Sequence, residues 1–239
     1  MAREGRHEEA LRELQWFHEH ALEEMPSLAG VRLSYALGAW GELGAIYPPA
    51  RAALEAVRDR DTALLLAGQG SRDLFMDVNA IHRELGEEAS THALFVELEK
   101  VDRELAQSCA SVALTAIIAV GDYALAERLL PEPERVVRRQ ASILNADFTG
   151  RRRMRFMRAP YVATSINLYV DQVRKVLTVL DGRGRRQDAA RLRRLAADLI
   201  PATTIRRAVR AALLPGAPTW RERSAARLRR LPRSRRPMR

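Results

Sequence analysis

An all-α protein built of antiparallel helix pairs is what this sequence predicts, on three observations. Apolar residues recur at the three- and four-residue steps of a helix along most of the chain. Composition leans on Leu, Ala, Glu and Arg, and aromatic residues are only 5% of the 239, which favours helix over sheet. No segment alternates apolar and polar residues as a half-buried strand would.

The elements follow in order. Leu11, Leu14, Phe17, Ala21 and Leu22 form one stripe with Glu and Arg opposite, an amphipathic first helix. Pro26 and Ser27 break and recap the chain. A second helix is expected over 28–47. Pro48-Pro49 then restarts the chain, since proline is tolerated in a first helical turn, and a third helix covers 50–66. In "GQGSRD", 68–73, Ser71 serves as a helix N-cap. Helices follow over 73–85, 89–101 and 103–120. Gly121 is a stop and Asp122 an N-cap for a short helix that ends at the Pro131/Pro133 break. The stretch 135–145 reads as helix and 148–160 as an irregular joint. Helices over 167–180, 187–200 and 204–214 complete the set. From Pro215 onward stand four prolines, nine Arg and one Glu, a composition that cannot bury enough to offset its ordering entropy.

Charge divides the chain. Residues 1–134 carry 12 basic and 24 acidic side chains, a net of −12, and residues 135–239 carry 28 and 6, a net of +22. Of the 40 basic residues only Lys100 and Lys175 are lysine. This gives four expected regions: an acidic helical repeat region over 1–147, an Arg-rich joint over 148–160, a basic helical region over 161–214, and an Arg/Pro-rich flexible tail over 215–239. Mean hydropathy is −0.27. The longest uncharged run, 105–121, contains Gln107, Ser108, Ser111 and Thr115, and reads as a buried helix of a soluble bundle rather than a membrane span. The N-terminus "MAREGRHEEALRELQ" lacks the apolar run of a signal peptide. Cys109 is the only cysteine, which excludes an intrachain disulfide and suits a reducing, cytoplasmic setting.

One stretch, "WGELGAIYPPA" at 40–50, carries a specific resemblance. Trp40, Leu43, Gly44 and Tyr47, with Ala56 and Ala63 downstream, resemble the tetratricopeptide repeat, whose signature is W-x2-L-G-x2-Y followed by small residues and proline. In such repeats large residues of the first helix fill space left by small ones of the second. In this register the inter-helix turns fall on Arg51, Gly86 and Gly121, 35 residues apart, and again on Gly184. Ala126, Ala189, Ala196 and Pro201 match the second half of the pattern. Phe75 takes the place of Trp40 in the next unit, but Thr91 stands where a small alanine is expected. The 63 residues from Gly121 to Gly184 hold an irregular insertion. A turn glycine permits a left-handed backbone that a side chain resists. Gly121 and Gly184 are accordingly expected to be intolerant of valine, with Gly68 in a looser connection.

The resemblance implies a right-handed α-solenoid whose first helices line a groove for a peptide of another protein. In the family register that candidate groove comprises Asp73, Met76, Arg83, Ser108, Ser111, Thr115, Arg174 and Thr178. This set lacks the Lys/Asn clamp by which some family members hold C-terminal carboxylates, so the class of peptide stays open.

No catalytic constellation emerges. In "HEH" at 18–20 only His20 and Glu24 have the four-residue spacing of a helical metal pair, and a solvated face explains them as well. "GQG" at 68–70 lacks the G-K-[ST] ending of a phosphate loop. Ser90, Thr91 and His92 are adjacent, which is not triad geometry. His82 reads as a packed histidine and Cys109 as a buried thiol. No catalytic residue, metal or cofactor is expected.

Two Arg clusters remain. Arg151, Arg152, Arg153, Arg155 and Arg158 precede the last helices, and Arg229, Arg230, Arg235 and Arg236 lie in the tail. These are candidate contacts to a polyanion, through phosphates rather than stacked bases because aromatics are few. Two functions are open: a non-enzymatic scaffold for protein–protein interaction, or an adaptor that uses its basic half on nucleic acid or anionic membrane.

Overall fold

The protein is described by a computed structural model over residues 5–130, 132–148, 159–219 and 222. Every regular element among them is helical, and none is a strand. Two units divide the chain, Met1–Asp122 and Tyr123–Arg239.

The first unit opens with α1, His7–Glu24, which buries Leu11, His18 and Ala21. Met25 turns the chain into an extended conformation. The expected single helix over 28–47 is instead a mixed run. A 3₁₀ turn at Pro26–Leu28 leads into α2, Ala29–Val31, then a π turn at Arg32–Ala36, then α3, Leu37–Gly44. Tyr47 is extended and α4 begins directly at Pro48, running Pro48–Leu66. The proline restart therefore prevails over the repeat register. The turn lies between Gly44 and Pro48, whereas Arg51 sits inside α4.

Next come α5, Arg72–Leu85, α6, Glu88–Val101, and α7, Arg103–Ala119. The side chain of Ser71 caps α5 by accepting from the Leu74 N–H at 3.1 Å, and Asp102 caps α7 in the same way. Each helix packs on its successor from α3 to α7. In addition α3 meets α5, α5 meets α7, and α4 meets α6. Helices α3 to α7 thus form two layers, α3, α5 and α7 in one and α4 and α6 in the other.

The Trp40 motif works partly as expected. Trp40 and Leu43 are buried, and the indole N–H donates to the Ala50 carbonyl at 2.8 Å. A Cβ on Gly44 would sit 3.3 Å from the Arg51 backbone, so glycine lets α3 and α4 approach. The buried small residue that α4 gives this core is Ala50, not Ala56 or Ala63, which are both exposed. A second buried group forms around Phe75 and Phe95, whose rings meet edge to face. Helix lengths of 8, 19, 14, 14 and 17 residues from α3 to α7 do not make a regular unit. The helices do not show a tetratricopeptide-like repeat.

Gly86, Gly121 and Gly184 do end helices in left-handed turns, with φ of +75°, +81° and +74°. Gly68 adopts the same conformation at +72°. Its connection is no looser: the Gly68 and Gln69 amides donate back to the Leu65 and Leu64 carbonyls as the Gly121 and Asp122 amides do to Ile118 and Ile117. Valine at Gly68 or at Gly121 is therefore expected to cost the same, about 1–2 kcal/mol from the left-handed backbone alone. Denaturant midpoints check this; a tolerated valine at one site only would contradict it.

The second unit contains α8, Tyr123–Leu129, α9, Pro133–Phe148, α10, Ala159–Gly182, α11, Arg186–Asp198, and α12, Thr203–Ala212. Helices α8 and α9 had been expected within the acidic region ending at 147. They belong here because Val137, Ala141, Leu144 and Phe148 on α9 pack into one core with Tyr169, Val173 and Leu177 of α10 and Leu192 of α11. Helix α10 begins eight residues before the expected start at 167, with Pro160 tolerated in its first turn. The expected joint over 148–160 otherwise falls on residues 149–158, outside the described ones.

Ala189 and Ala196 are fully buried as the repeat pattern asks, while Pro201 is exposed. No described helix is long and apolar enough to cross a membrane. The uncharged run 105–121 falls on α7, which buries Ala106, Cys109, Ala113 and Ile117 and exposes Ser108, Ser111 and Thr115.

Candidate functional site

Six of the eight groove residues come together in the first unit. Asp73, Met76 and Arg83 lie along α5, Ser108, Ser111 and Thr115 along α7, and the two helices pack side by side. All are exposed except Met76, which is half-buried. Arg72, which the repeat register passes over, binds this face together. Its guanidinium donates to the Ser108 carbonyl at 3.1 Å and to Met76 Sδ at 3.6 Å. Arg83 donates to the Leu33 carbonyl at 2.9 Å, and the Ser108 hydroxyl to the Leu105 carbonyl. The face is small and polar, without a cavity of its own among the cavities described.

Arg174 and Thr178 are on α10, in the second unit. Thr178 is exposed. Arg174 is a clasp: its Nη2 donates to the carbonyls of Ala212 and Ala217, at 2.7 Å each, and of Pro218 at 3.2 Å. Residues 215–219, expected in the flexible tail, are therefore tied to α10. Arg151, Arg152, Arg153, Arg155, Arg158, Arg229, Arg230, Arg235 and Arg236 lie outside the described residues.

A surface the sequence reading missed lies between α1 and α3. Only Leu11 and Ala21 of the α1 stripe are buried; Leu14, Phe17 and Leu22 stay half-exposed. Beside them Trp16, off the expected stripe, is 54% exposed and stacks on His20 at 5.4 Å. Ala10, Leu14, Phe17 and Trp16 from α1 face Ala39 and Leu43 of α3 across an open apolar groove of about 930 Å³. Glu9, Arg12 and Glu13 form its polar rim. The signal that could have found it is a tryptophan outside the core stripe of an otherwise charged helix face.

Under this helix pair lies a buried polar cluster. Arg32, in the π turn, grips Asp77 of α5 with two hydrogen bonds of 2.6 and 2.7 Å and donates to the His18 carbonyl at 2.6 Å. Nη2, one of the two nitrogens that bond Asp77, also stands 3.4 Å from His18 Nε2. The His18 ring sits edge-on to Trp40, and its Nδ1 is buried without a hydrogen-bond partner. Burial, then the Arg32 charge, hold the His18 pKa below its ordinary 6.5, against the opposing carboxylates of Asp77 and Asp61.

A depressed folded pKa means that the unfolded chain takes up the proton first. The His18 contribution is thus whole above pH 6.5 and is lost as pH falls below it towards the lowered folded value. Thermal unfolding should show stability falling with acidification in that window, and His18→Leu should flatten this slope. An unchanged slope would exclude His18 as its source.

The opposite layer carries a polar groove of about 720 Å³ between α4 and α6. Arg58 pairs with Glu87 at 2.6 Å, and His92 with Asp122 at 3.1 Å. His82, buried, bonds Thr91 at 2.9 Å. The departure from the repeat pattern at Thr91 is thereby explained, since its hydroxyl supplies the partner that the buried imidazole needs. Burial pushes the His82 pKa down, against Glu87. No nucleophile with a base and a third orienting group is assembled here. Among the described residues no cluster of three or more His, Cys, Asp or Glu could hold a metal. Cys109 is fully buried and burial pushes its thiol pKa up, the reverse of an activated thiolate.

No protein-family model matches the chain, and neither does a curated protein or a solved structure.

Proposed function

We propose that this chain is a non-enzymatic scaffold for protein–protein interaction, a two-layer helical array acting in the cytoplasm without a cofactor. The observation that carries this reading is the open α1–α3 groove with Trp16 at its edge. An exposed tryptophan beside contiguous apolar surface is the composition of an interaction site rather than of a catalytic one. The two-layer stacking of α3 to α7 supports the array, because alternate helices then present their outer faces side by side. The test is a pull-down with the full chain, with and without nuclease. A protein retained after nuclease treatment, and lost with substitutions on the first unit, is the expected result. Retention that vanishes with nuclease would sink the reading.

One observation favours the adaptor reading as a second possibility: the two units carry net charges of opposite sign. The first unit has a net charge of −10 and the second +20. In the second unit, Arg139, Arg194 and Arg207 are exposed on α9, α11 and α12. Retention on heparin should fall steeply as salt rises. The Arg174 clasp decides how the tail is to be tested. A chain ending at Thr219 keeps the clasp and should melt as the full chain does; one ending at Leu214 loses the Ala217 and Pro218 acceptors and should melt lower. Equal melting of the two truncated chains would deny the clasp its role.

A further inference from the structure

The α1–α3 groove has the chemistry of a helix receptor, and its rim specifies the charge of the guest. We propose that it binds an amphipathic helix of a partner protein, with an apolar stripe flanked by Arg or Lys. This rests on the scaffold reading and deepens it. The groove walls are helices whose backbone N–H and C=O groups are already bonded along their own axes, so they offer no ladder to an extended peptide. An extended guest would bury unsatisfied backbone groups against apolar side chains; a helix arrives with its own satisfied. Ala10, Ala39 and the buried Leu43 keep the floor low, while Leu14 and Phe17 supply ridges against which a third helix can lay a stripe of small and aliphatic residues.

Charge selects among helices. Helix α1 carries six Glu and one Arg, and Arg12 already lies 3.5 Å from Glu8. Glu9, which Arg6 meets at 3.5 Å, and Glu13 are the rim carboxylates, in a unit of net charge −10. An acidic guest would be repelled, and a basic one steered in. Trp16 at the edge offers its face to an incoming guanidinium and the apolar area of an anchor residue.

The probe is a fluorescent helical peptide of about 18 residues, long enough to hold a helix, with a Leu/Ala stripe and Arg/Lys flanks. A second peptide has the same stripe and Glu flanks. Anisotropy with the full chain should show saturable binding of the basic peptide only. Trp16→Ala and Ala39→Arg, both at exposed positions, should each weaken it about tenfold or more without lowering the melting temperature. Glu9→Gln with Glu13→Gln should weaken it and reduce its dependence on salt.

Binding that ignores Trp16→Ala and Ala39→Arg would be charge attraction elsewhere on the first unit and would overturn the proposal, as would no binding. Binding seen only in a chain ending at Thr219, or a dimer abolished by Ala39→Arg, would make this chain itself the occupant and overturn it too. The scaffold reading fails separately: it falls if nuclease removes every captured partner, whatever the peptide does. If a nuclease-resistant partner survives Ala39→Arg, the scaffold stands and this groove is not its site.

Discussion

Replacing Trp40 by alanine is expected to destabilise the protein by about 3–5 kcal/mol, the range for removing a large buried aromatic. The side chain is 1% exposed and lies in one core with Leu37, Leu43, Leu54 and Ile81. Its loss leaves a cavity where α3, α4 and α5 meet, and it removes the donor to the Ala50 carbonyl. Trp40→Phe separates the two effects. It keeps much of the volume but no indole N–H, and should recover more than half of the loss. Chemical denaturation of the three proteins measures this, and a cost below about 1 kcal/mol for alanine would place Trp40 outside the core.

The second large effect is at the buried ion pair. Asp77→Ala is expected to cost about 3–5 kcal/mol, because it strands the Arg32 guanidinium in a buried site. The pair side chains are only 9% and 13% exposed, and their contact is bidentate. Replacing both partners with aliphatic residues should cost much less than Asp77→Ala alone, since no charge is then left without its partner. A double replacement as damaging as the single one would mean that the pair holds the π turn through geometry and not through charge.

Helical periodicity made most of the helices legible, because an apolar stripe every three to four residues reflects burial on one side. The second helix failed for a specific reason. A π turn adds one residue to a helical circuit without any residue type that marks it, so 28–47 reads as uninterrupted. The repeat register succeeded at Phe75, Gly86, Gly121 and Ala189. It failed at Arg51, Ala56 and Ala63, where Pro48 starts α4 early and moves Ala50 into the place of the small residue.

The site was less legible than the fold. Asp73, Met76 and Arg83 do face outward beside Ser108, Ser111 and Thr115, since all six follow from helical phase. Arg174 was read as a groove residue from the same phase, yet its acceptors at Ala212, Ala217 and Pro218 come from distant sequence, and pairings of that kind leave no local pattern. The α1–α3 groove stayed hidden because an amphipathic stripe predicts which side faces inward, not whether the neighbours cover all of it.

The π turn at Arg32–Ala36 also has a genetic reading. A π turn is an α-helix with one residue inserted, and each residue advances an α-helix by about 100°. Tyr35, 82% exposed, is the residue that this stretch could lose at least cost in packing. An in-frame deletion of its single codon would let 29–44 close into continuous α-helix. Because the π turn holds that extra residue within one circuit, its loss would leave everything before it in nearly the same phase relative to Trp40, with Arg32 still on the side of Asp77. The codon would be close to dispensable: a chain one residue shorter, with nearly unchanged helix content and its buried arginine still facing its carboxylate.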